Sequence, residues 1–92
     1  MFREKLNKYM EILHCSGKEF AEYSGISEAT VSRYRSGART PKANSEDMKK
    51  LCHGICAAAE KKEIDLSYKT VLSELNTFAE AVPFDYDSLQ KN

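Results

Sequence analysis

The sequence predicts an all-α protein of about five helices. Apolar residues recur at intervals of three and four along most of the chain, the spacing that places them on one face of a helix. Serines precede several of these stripes and glycines follow two of them, as is typical of helix starts and ends. No segment shows the two-residue alternation of a strand. With 92 residues, the chain has room for one small hydrophobic core.

The first predicted helix is the segment "FREKLNKYMEIL" near the amino terminus. Its apolar residues follow one another at spacings of four, three, one and three, which predicts an amphipathic helix. We expect the helix to end at His14 and Cys15. The residues of its apolar face are Phe2, Leu6, Tyr9, Met10 and Leu13.

The second and third predicted helices are short and lie close together. Ser16 and the acid three residues after it form a capping box, so the second helix begins near Gly17 and ends at Gly25, which tolerates the left-handed conformation. Ser27 caps the third helix, about residues 28–36, and Gly37 ends it. Two short helices joined by three or four residues are the signature of a helix-turn-helix.

The fourth predicted helix begins after Ser45, with Glu46 and Asp47 in a first turn where the helix dipole favours acids. It ends within "EKKE". Its apolar face contains Met48, Leu51, Cys52, Ile55, Cys56 and Ala59.

The fifth predicted helix is capped by Asp65 or Ser67 and stopped by Pro83. Its apolar stripe is Tyr68, Val71, Leu72, Leu75, Phe78, Ala79 and Val82. This stripe is larger than a small four-helix core requires, which predicts a homodimer contact, although packing of the stripe against its own domain explains it equally well. The residues predicted for a homodimer are Val71, Leu72, Leu75, Phe78 and Val82.

The chain therefore divides into a helix-turn-helix domain, residues 1–63, and a carboxy-terminal helical extension, residues 64–92. The last stretch, "FDYDSLQKN", starts like a further helix and weakly resembles "FREKLNK". It is either a frayed terminus or the start of a truncated second module.

The charges cancel overall but are unevenly distributed. Fourteen bases balance fourteen acids, which argues against indiscriminate nucleic-acid binding. Residues 1–59 carry ten bases and seven acids, whereas residues 60–92 carry four bases and seven acids. The basic half contains the cluster of Arg33, Arg35, Arg39 and Lys42.

Cysteine usage and hydropathy predict a cytoplasmic protein. Three cysteines are an odd set and no apolar leader precedes Phe2, so we expect reduced thiols. The longest uncharged run, residues 51–59, is far shorter than the about 20 apolar residues that cross a bilayer.

A metal site and an enzyme active site have little support in the sequence. Cys52 and Cys56 lie four residues apart beside His53, but both fall on an apolar stripe where cysteine behaves as a small hydrophobe. We therefore expect no metal and no cofactor. No glycine-rich phosphate loop is present, so we expect no enzyme, although a cysteine–histidine nucleophile using His14 or His53 is left open.

The stretch "GISEATVSRYRSGARTP" resembles the DNA-binding domain of the phage repressor and Cro family, also called the Xre-type helix-turn-helix. The resemblance runs from "SGKEFAEYSG" through the apolar face of the fourth helix and covers most of the first sixty residues. It implies a lambda-repressor-like fold whose third helix enters the major groove of DNA. Two positions depart from the family, which commonly has glutamine where this chain has Gly17 and frequently an acid where it has Arg35.

Helical geometry predicts which side chains of the third helix face outward. If Val31 and Tyr34 face the core, the residues one turn apart on the other side project away from it. The chemistry of those side chains suits base edges: arginine for guanine, glutamate for cytosine, and alanine for the thymine methyl. The predicted base-contacting residues are Glu28, Ala29, Ser32 and Arg33.

Other residues near the helix-turn-helix are predicted to contact phosphates, which position a domain without reading sequence. These are the backbone amides near Gly17 and Lys18, the hydroxyl of Thr30, and the cations Arg35, Arg39 and Lys42.

The sequence thus predicts a repressor-like transcriptional regulator, of bacterial or phage origin and associated with the nucleoid. Its partner would be double-stranded DNA, bound as a dimer on an inverted repeat. The alternative is a helical protein–protein interaction module with weak or no DNA binding, which formal neutrality and Gly17 favour.

Overall fold

The computed structural model describes residues 1–79 and folds them into five α-helices without a strand, which confirms the predicted fold class. Within these residues, none of the helices combines the length and the apolar character that crossing a membrane requires. The helices are α1 (Phe2–Leu13), α2 (Gly17–Ser24), α3 (Glu28–Ser36), α4 (Glu46–Lys61) and α5 (Tyr68–Thr77).

The starts and ends of α2, α3 and α4 follow from local side-chain and backbone chemistry. The hydroxyls of Ser16, Ser27 and Ser45 each accept a hydrogen bond from the backbone N–H three residues later, at 3.1, 3.2 and 3.2 Å. These bonds satisfy amides that have no partner inside the helix. Gly25 and Gly37 end α2 and α3 with φ angles of 74° and 84°. Three residues, 25–27, therefore separate α2 from α3.

The helix α5 ends earlier than the apolar stripe predicts. Ser67, rather than Asp65, precedes it, and the helix stops at Thr77, so the prediction that Phe78 and Ala79 continue it is wrong. The backbone N–H groups of Phe78 and Ala79 donate to carbonyls three residues back, at 3.1 and 3.2 Å, which tightens the last turn. The predictions for Val82, Pro83 and "FDYDSLQKN" lie outside the described residues.

The buried side chains form one core to which all five helices contribute. Val71 and Leu75 of α5 are fully buried in it, so two residues of the predicted dimer stripe pack inside their own chain. Leu72 and Phe78 are partly buried against the same core. The larger fully buried side chains are Tyr34, Phe20, Leu6, Met10, Leu13, Met48, Leu51, Ile55, Leu75, Val31, Val71 and Cys52.

Helices α2 and α4 approach each other closely at Gly54. A Cβ atom built on Gly54 would lie 2.7 Å from the Cβ of Ser24 and 3.0 Å from Cε1 of Phe20. Ser24 is buried, and its hydroxyl accepts a hydrogen bond from the backbone N–H of Ile26 at 3.2 Å. The contact therefore places the end of α2, and with it the turn into α3, directly on α4.

A polar contact attaches α5 to α1. The carboxylate of Glu74 accepts a hydrogen bond from the Tyr9 hydroxyl at 2.9 Å and forms an ion pair with Lys5 at 2.9 Å. The bond from Lys5, followed by that from Tyr9, lowers the pKa of Glu74. Burial, followed by the bond to Glu74, raises the pKa of Tyr9 to about 12.

We expect Gly54→Ala to lower the free energy of unfolding by about 1–3 kcal/mol, because the added methyl group forces α2 and α4 apart. This net loss is expected although alanine is the better helix former by about 1 kcal/mol. Gly17→Ala is the control, since the atom nearest to its new Cβ is 3.6 Å away. Urea denaturation measures both variants, and a gain in stability for Gly54→Ala would show that the close approach is absent.

The Glu74 contact predicts a specific acid dependence of stability. Because the pKa of Glu74 is lowered in the folded protein, its contribution is present above the usual glutamate pKa and is lost as pH falls through the folded value. Unfolding of the wild type and Glu74→Gln, followed from about pH 6 to about pH 3, should show a smaller loss of stability in the variant. Glu19, whose pKa the bond from Lys62 lowers, retains part of the acid dependence in both proteins. Parallel curves would contradict the contact.

Candidate nucleic-acid interface

The rotation of α3 about its axis is determined by two buried side chains. Val31 is 0% exposed and Tyr34 is 1% exposed, three residues further along the helix. At 3.6 residues per turn, burial of this pair turns the opposite side of the helix away from the core. The residues that are exposed on α3 include all four predicted base-contacting ones, Glu28, Ala29, Ser32 and Arg33.

Arg33 presents its guanidinium to solvent from a fixed backbone. Its carbonyl oxygen accepts hydrogen bonds from the Ser36 hydroxyl at 3.1 Å and from the Arg39 backbone N–H at 3.2 Å. Among residues 1–79, none of the ion pairs includes Arg33 or Glu28. Both side chains therefore remain available to an external ligand.

Tyr34 connects α3 to the start of α4 and to the loop between them. Its hydroxyl donates a hydrogen bond to the Asp47 carboxylate, and burial, followed by this bond, raises the pKa of Tyr34 to about 12. The guanidinium carbon of Arg39 lies 5.9 Å from the centre of the Tyr34 ring, within the range of a cation–π contact. Arg39 is exposed, so the contact orients its charge without burying it.

The loop that carries Arg39 and Lys42 is tied to α5 by a pair of asparagines. The backbone N–H of Asn44 donates to Oδ1 of Asn76 at 3.0 Å, and Nδ2 of Asn76 donates to Oδ1 of Asn44 at 2.9 Å. Asn44 has a φ of 56°, a conformation that asparagine adopts more readily than most residues. Sequence reasoning missed both asparagines, because no local pattern joins positions 32 residues apart.

Arg35 is held by α1. Its Nε donates to Oδ1 of Asn7 at 2.8 Å, and Nδ2 of Asn7 donates back to the Arg35 carbonyl oxygen at 2.9 Å. Gly17 lies beside the guanidinium, since a Cβ built there would be 3.6 Å from Nη1 of Arg35. A cavity with a volume of about 400 Å³ opens at this place, with Glu28 and Ser32 in its wall. Sequence reasoning identified Arg35 and Gly17 but not Asn7.

The other predicted phosphate contacts lie at the ends of the helix-turn-helix. Lys18 and Lys42 are exposed, at the start of α2 and in the loop after α3. The Ser27 hydroxyl donates to Oγ1 of Thr30 at 2.8 Å, which leaves the hydrogen of the Thr30 hydroxyl for another acceptor. In the chain, these groups thus lie before α3, in its first turn and after it.

The cysteines are placed as small core side chains. Cys52 is fully buried, and burial, followed by the nearby Cys56, raises its pKa to about 12. Burial also raises the pKa of Cys56, so both thiols stay protonated at neutral pH. Within the part of the chain that the structure describes, no three or more histidine, cysteine or acidic side chains gather where they could hold a metal.

Comparison with known proteins gave no further guide to function. No family model matches the chain, and neither the curated proteins nor the solved structures include a significant match to it. The function of this chain is therefore inferred from its own residues and from the resemblance that they carry.

Proposed function

We propose that this protein binds double-stranded DNA sequence-specifically and acts as a repressor-like transcriptional regulator of the phage repressor and Cro type. The observation that carries the proposal is the exposed face of α3, on which Glu28, Ala29, Ser32 and Arg33 lie opposite the buried Val31 and Tyr34. The proposed location is the bacterial cytoplasm, where such a regulator meets its DNA.

In this proposal α3 lies in the major groove, which is about 12 Å wide and accepts a helix. Arg33 donates two hydrogen bonds to O6 and N7 of guanine, and Glu28 accepts one from the amino group of cytosine. Ala29 contacts a thymine methyl group, and Ser32 bonds to a neighbouring base edge. Four adjacent side chains of different chemistry are enough to distinguish a short sequence.

Phosphate contacts on both sides of α3 position the helix in the groove. On one side these are the amides of Gly17 and Lys18 at the start of α2 and the guanidinium of Arg35 beside Gly17. The hydroxyl of Thr30 adds a contact from the first turn of α3. Arg39 and Lys42 contact phosphates from the loop after α3. Because the chain has no formal net charge, these local cations provide the attraction that the protein as a whole does not.

One recognition helix makes few base contacts, so we propose that two copies bind an inverted repeat whose half-sites lie about one helical turn apart. Val71 and Leu75 are buried within the chain, and the dimer contact would use Leu72 and Phe78, which remain partly exposed. Val82, the fifth predicted contact, lies outside the described residues.

The proposal is tested by selecting bound oligonucleotides from a random pool at two salt concentrations and measuring affinity for the enriched duplex. Arg33→Ala should lose about 1–3 kcal/mol of discrimination at one base pair, because its bidentate contact to guanine is removed. Discrimination at the other positions should stay as in the wild type. No enrichment at either salt concentration would favour the alternative, a helical protein–protein interaction module.

Arg39→Ala should behave differently from Arg33→Ala. Removal of a phosphate contact should weaken binding to all duplexes alike. It should also reduce the magnitude of the negative slope of log affinity against log salt by about 0.9. Lys69→Ala, which removes one exposed charge from α5, is the matched control and should leave this slope unchanged. Equal slopes for Arg39→Ala and Lys69→Ala would contradict the assignment of Arg39.

A further inference from the structure

We propose that Asn7 is a positioning residue that fixes the guanidinium of Arg35 as a preset binding site for one DNA backbone phosphate. The inference rests on the proposed DNA binding and assigns a role to α1, a helix to which neither the sequence nor the proposal gave a part in recognition. It depends on three observations: the bonds between Asn7 and Arg35, the charge that they leave, and the space above Gly17.

The bonds from Asn7 fix Arg35 without using its outer donors. Asn7 accepts from Nε of Arg35 at 2.8 Å and donates to the carbonyl oxygen of the same residue at 2.9 Å. A guanidinium has five N–H donors, so the four on Nη1 and Nη2 remain for a ligand. Because the guanidinium of Arg35 is already held in place, less conformational entropy is lost when it binds a phosphate.

The bonds also leave the positive charge of Arg35 in place. The Asn7 amide is neutral, and among residues 1–79 no carboxylate forms an ion pair with Arg35. An acid at position 7 would hold the guanidinium equally well but would cancel its charge. The hydrogen bonds between Asn7 and Arg35 thus join α1 to α3 and leave Arg35 with a positive charge that can attract an anion.

The space for the anion is next to Gly17. The Cβ atom of any other residue would lie 3.6 Å from Nη1 of Arg35, so glycine leaves this side of the guanidinium uncovered. The cavity that remains has a volume of about 400 Å³. It opens to solvent beside the guanidinium of Arg35, and two oxygens of a phosphate group match the two outer nitrogens of arginine.

The wall of the cavity indicates which phosphate it takes. Glu28 and Ser32, two of the predicted base-contacting residues, line it together with Arg35. The Glu28 carboxylate repels a small free anion, whereas DNA brings a hydrogen-bond donor for Glu28 along with the phosphate for Arg35. The expected occupant is therefore a backbone phosphate beside the base that α3 reads.

The positioning role is tested with Asn7→Ala, Arg35→Gln and the double variant. The probe is a random-sequence duplex of about 20 base pairs at low salt, where phosphate contacts dominate the affinity. Arg35→Gln should weaken binding about tenfold and lower the salt slope by about 0.9. Asn7→Ala should weaken binding too, and the double variant should bind no more weakly than Arg35→Gln, because the two residues act on one contact. Thermal melting followed by circular dichroism identifies the temperatures at which every variant is folded, and the affinities are compared only at those temperatures.

A second pair of variants tests the charge without cutting the α1–α3 bonds. Gly17→Glu and Gly17→Gln add side chains of the same size, but only glutamate neutralises Arg35. We expect Gly17→Glu to bind the same duplex about tenfold more weakly than Gly17→Gln while melting at the same or a higher temperature. Ser73→Glu compared with Ser73→Gln, on α5, measures how much an added negative charge weakens binding in general.

Three results would overturn the inference, and they are distinguishable. If Asn7→Ala binds the duplex as tightly as the wild type while Arg35→Gln binds more weakly, the positioning role of Asn7 is wrong and the phosphate contact of Arg35 stands. If the wild type binds duplexes with a normal salt dependence but Arg35→Gln and Gly17→Glu bind as well as it does, the phosphate site is wrong and the proposed function stands. If the wild type binds no duplex at low salt, the proposed function fails and the phosphate site fails with it.

Discussion

Burial of Val31 and Tyr34 is the constraint on which the rest of the site depends. These two side chains set the rotation of α3, and a change of one residue in that rotation would turn its outward face by about 100°. Tyr34 is further restrained because its hydroxyl donates to Asp47 at the start of α4. The exposed face of α3 is therefore a consequence of core packing and does not depend on the presence of a ligand.

The cations around α3 are oriented by contacts from other parts of the chain. Asn7 holds Arg35 from α1, the ring of Tyr34 lies under Arg39, and Asn76 of α5 holds the loop after α3 through Asn44. Because the chain has no formal net charge, the proposed attraction of DNA depends on these few cations. Helix α5 takes part in this arrangement, because the loop bearing Arg39 and Lys42 is bonded to it through Asn44.

The sequence predicted those features that arise within one helix. The serine caps, the glycines at the ends of α2 and α3, and the apolar stripes depend on neighbours a few residues away. The close approach at Gly54 and the Asn7–Arg35 bonds join helices distant in sequence, and no local pattern indicates them. The prediction that α5 continues past Thr77 was wrong for a related reason. An apolar stripe does not show where the helical backbone ends. The outward residues of α3 were predicted by periodicity, and their role in reading bases stays a prediction.

The most direct test of the central claim is a titration of ¹⁵N-labelled protein with a duplex, followed by the chemical shifts of backbone amides. If α3 reads the groove, the shifts should change at the start of α2, along α3 and in the loop that carries Arg39 and Lys42. The amides on the exposed side of α5 should stay as they are in the free protein. Changes confined to α4 and α5, with those of α3 unaltered, would contradict the claim.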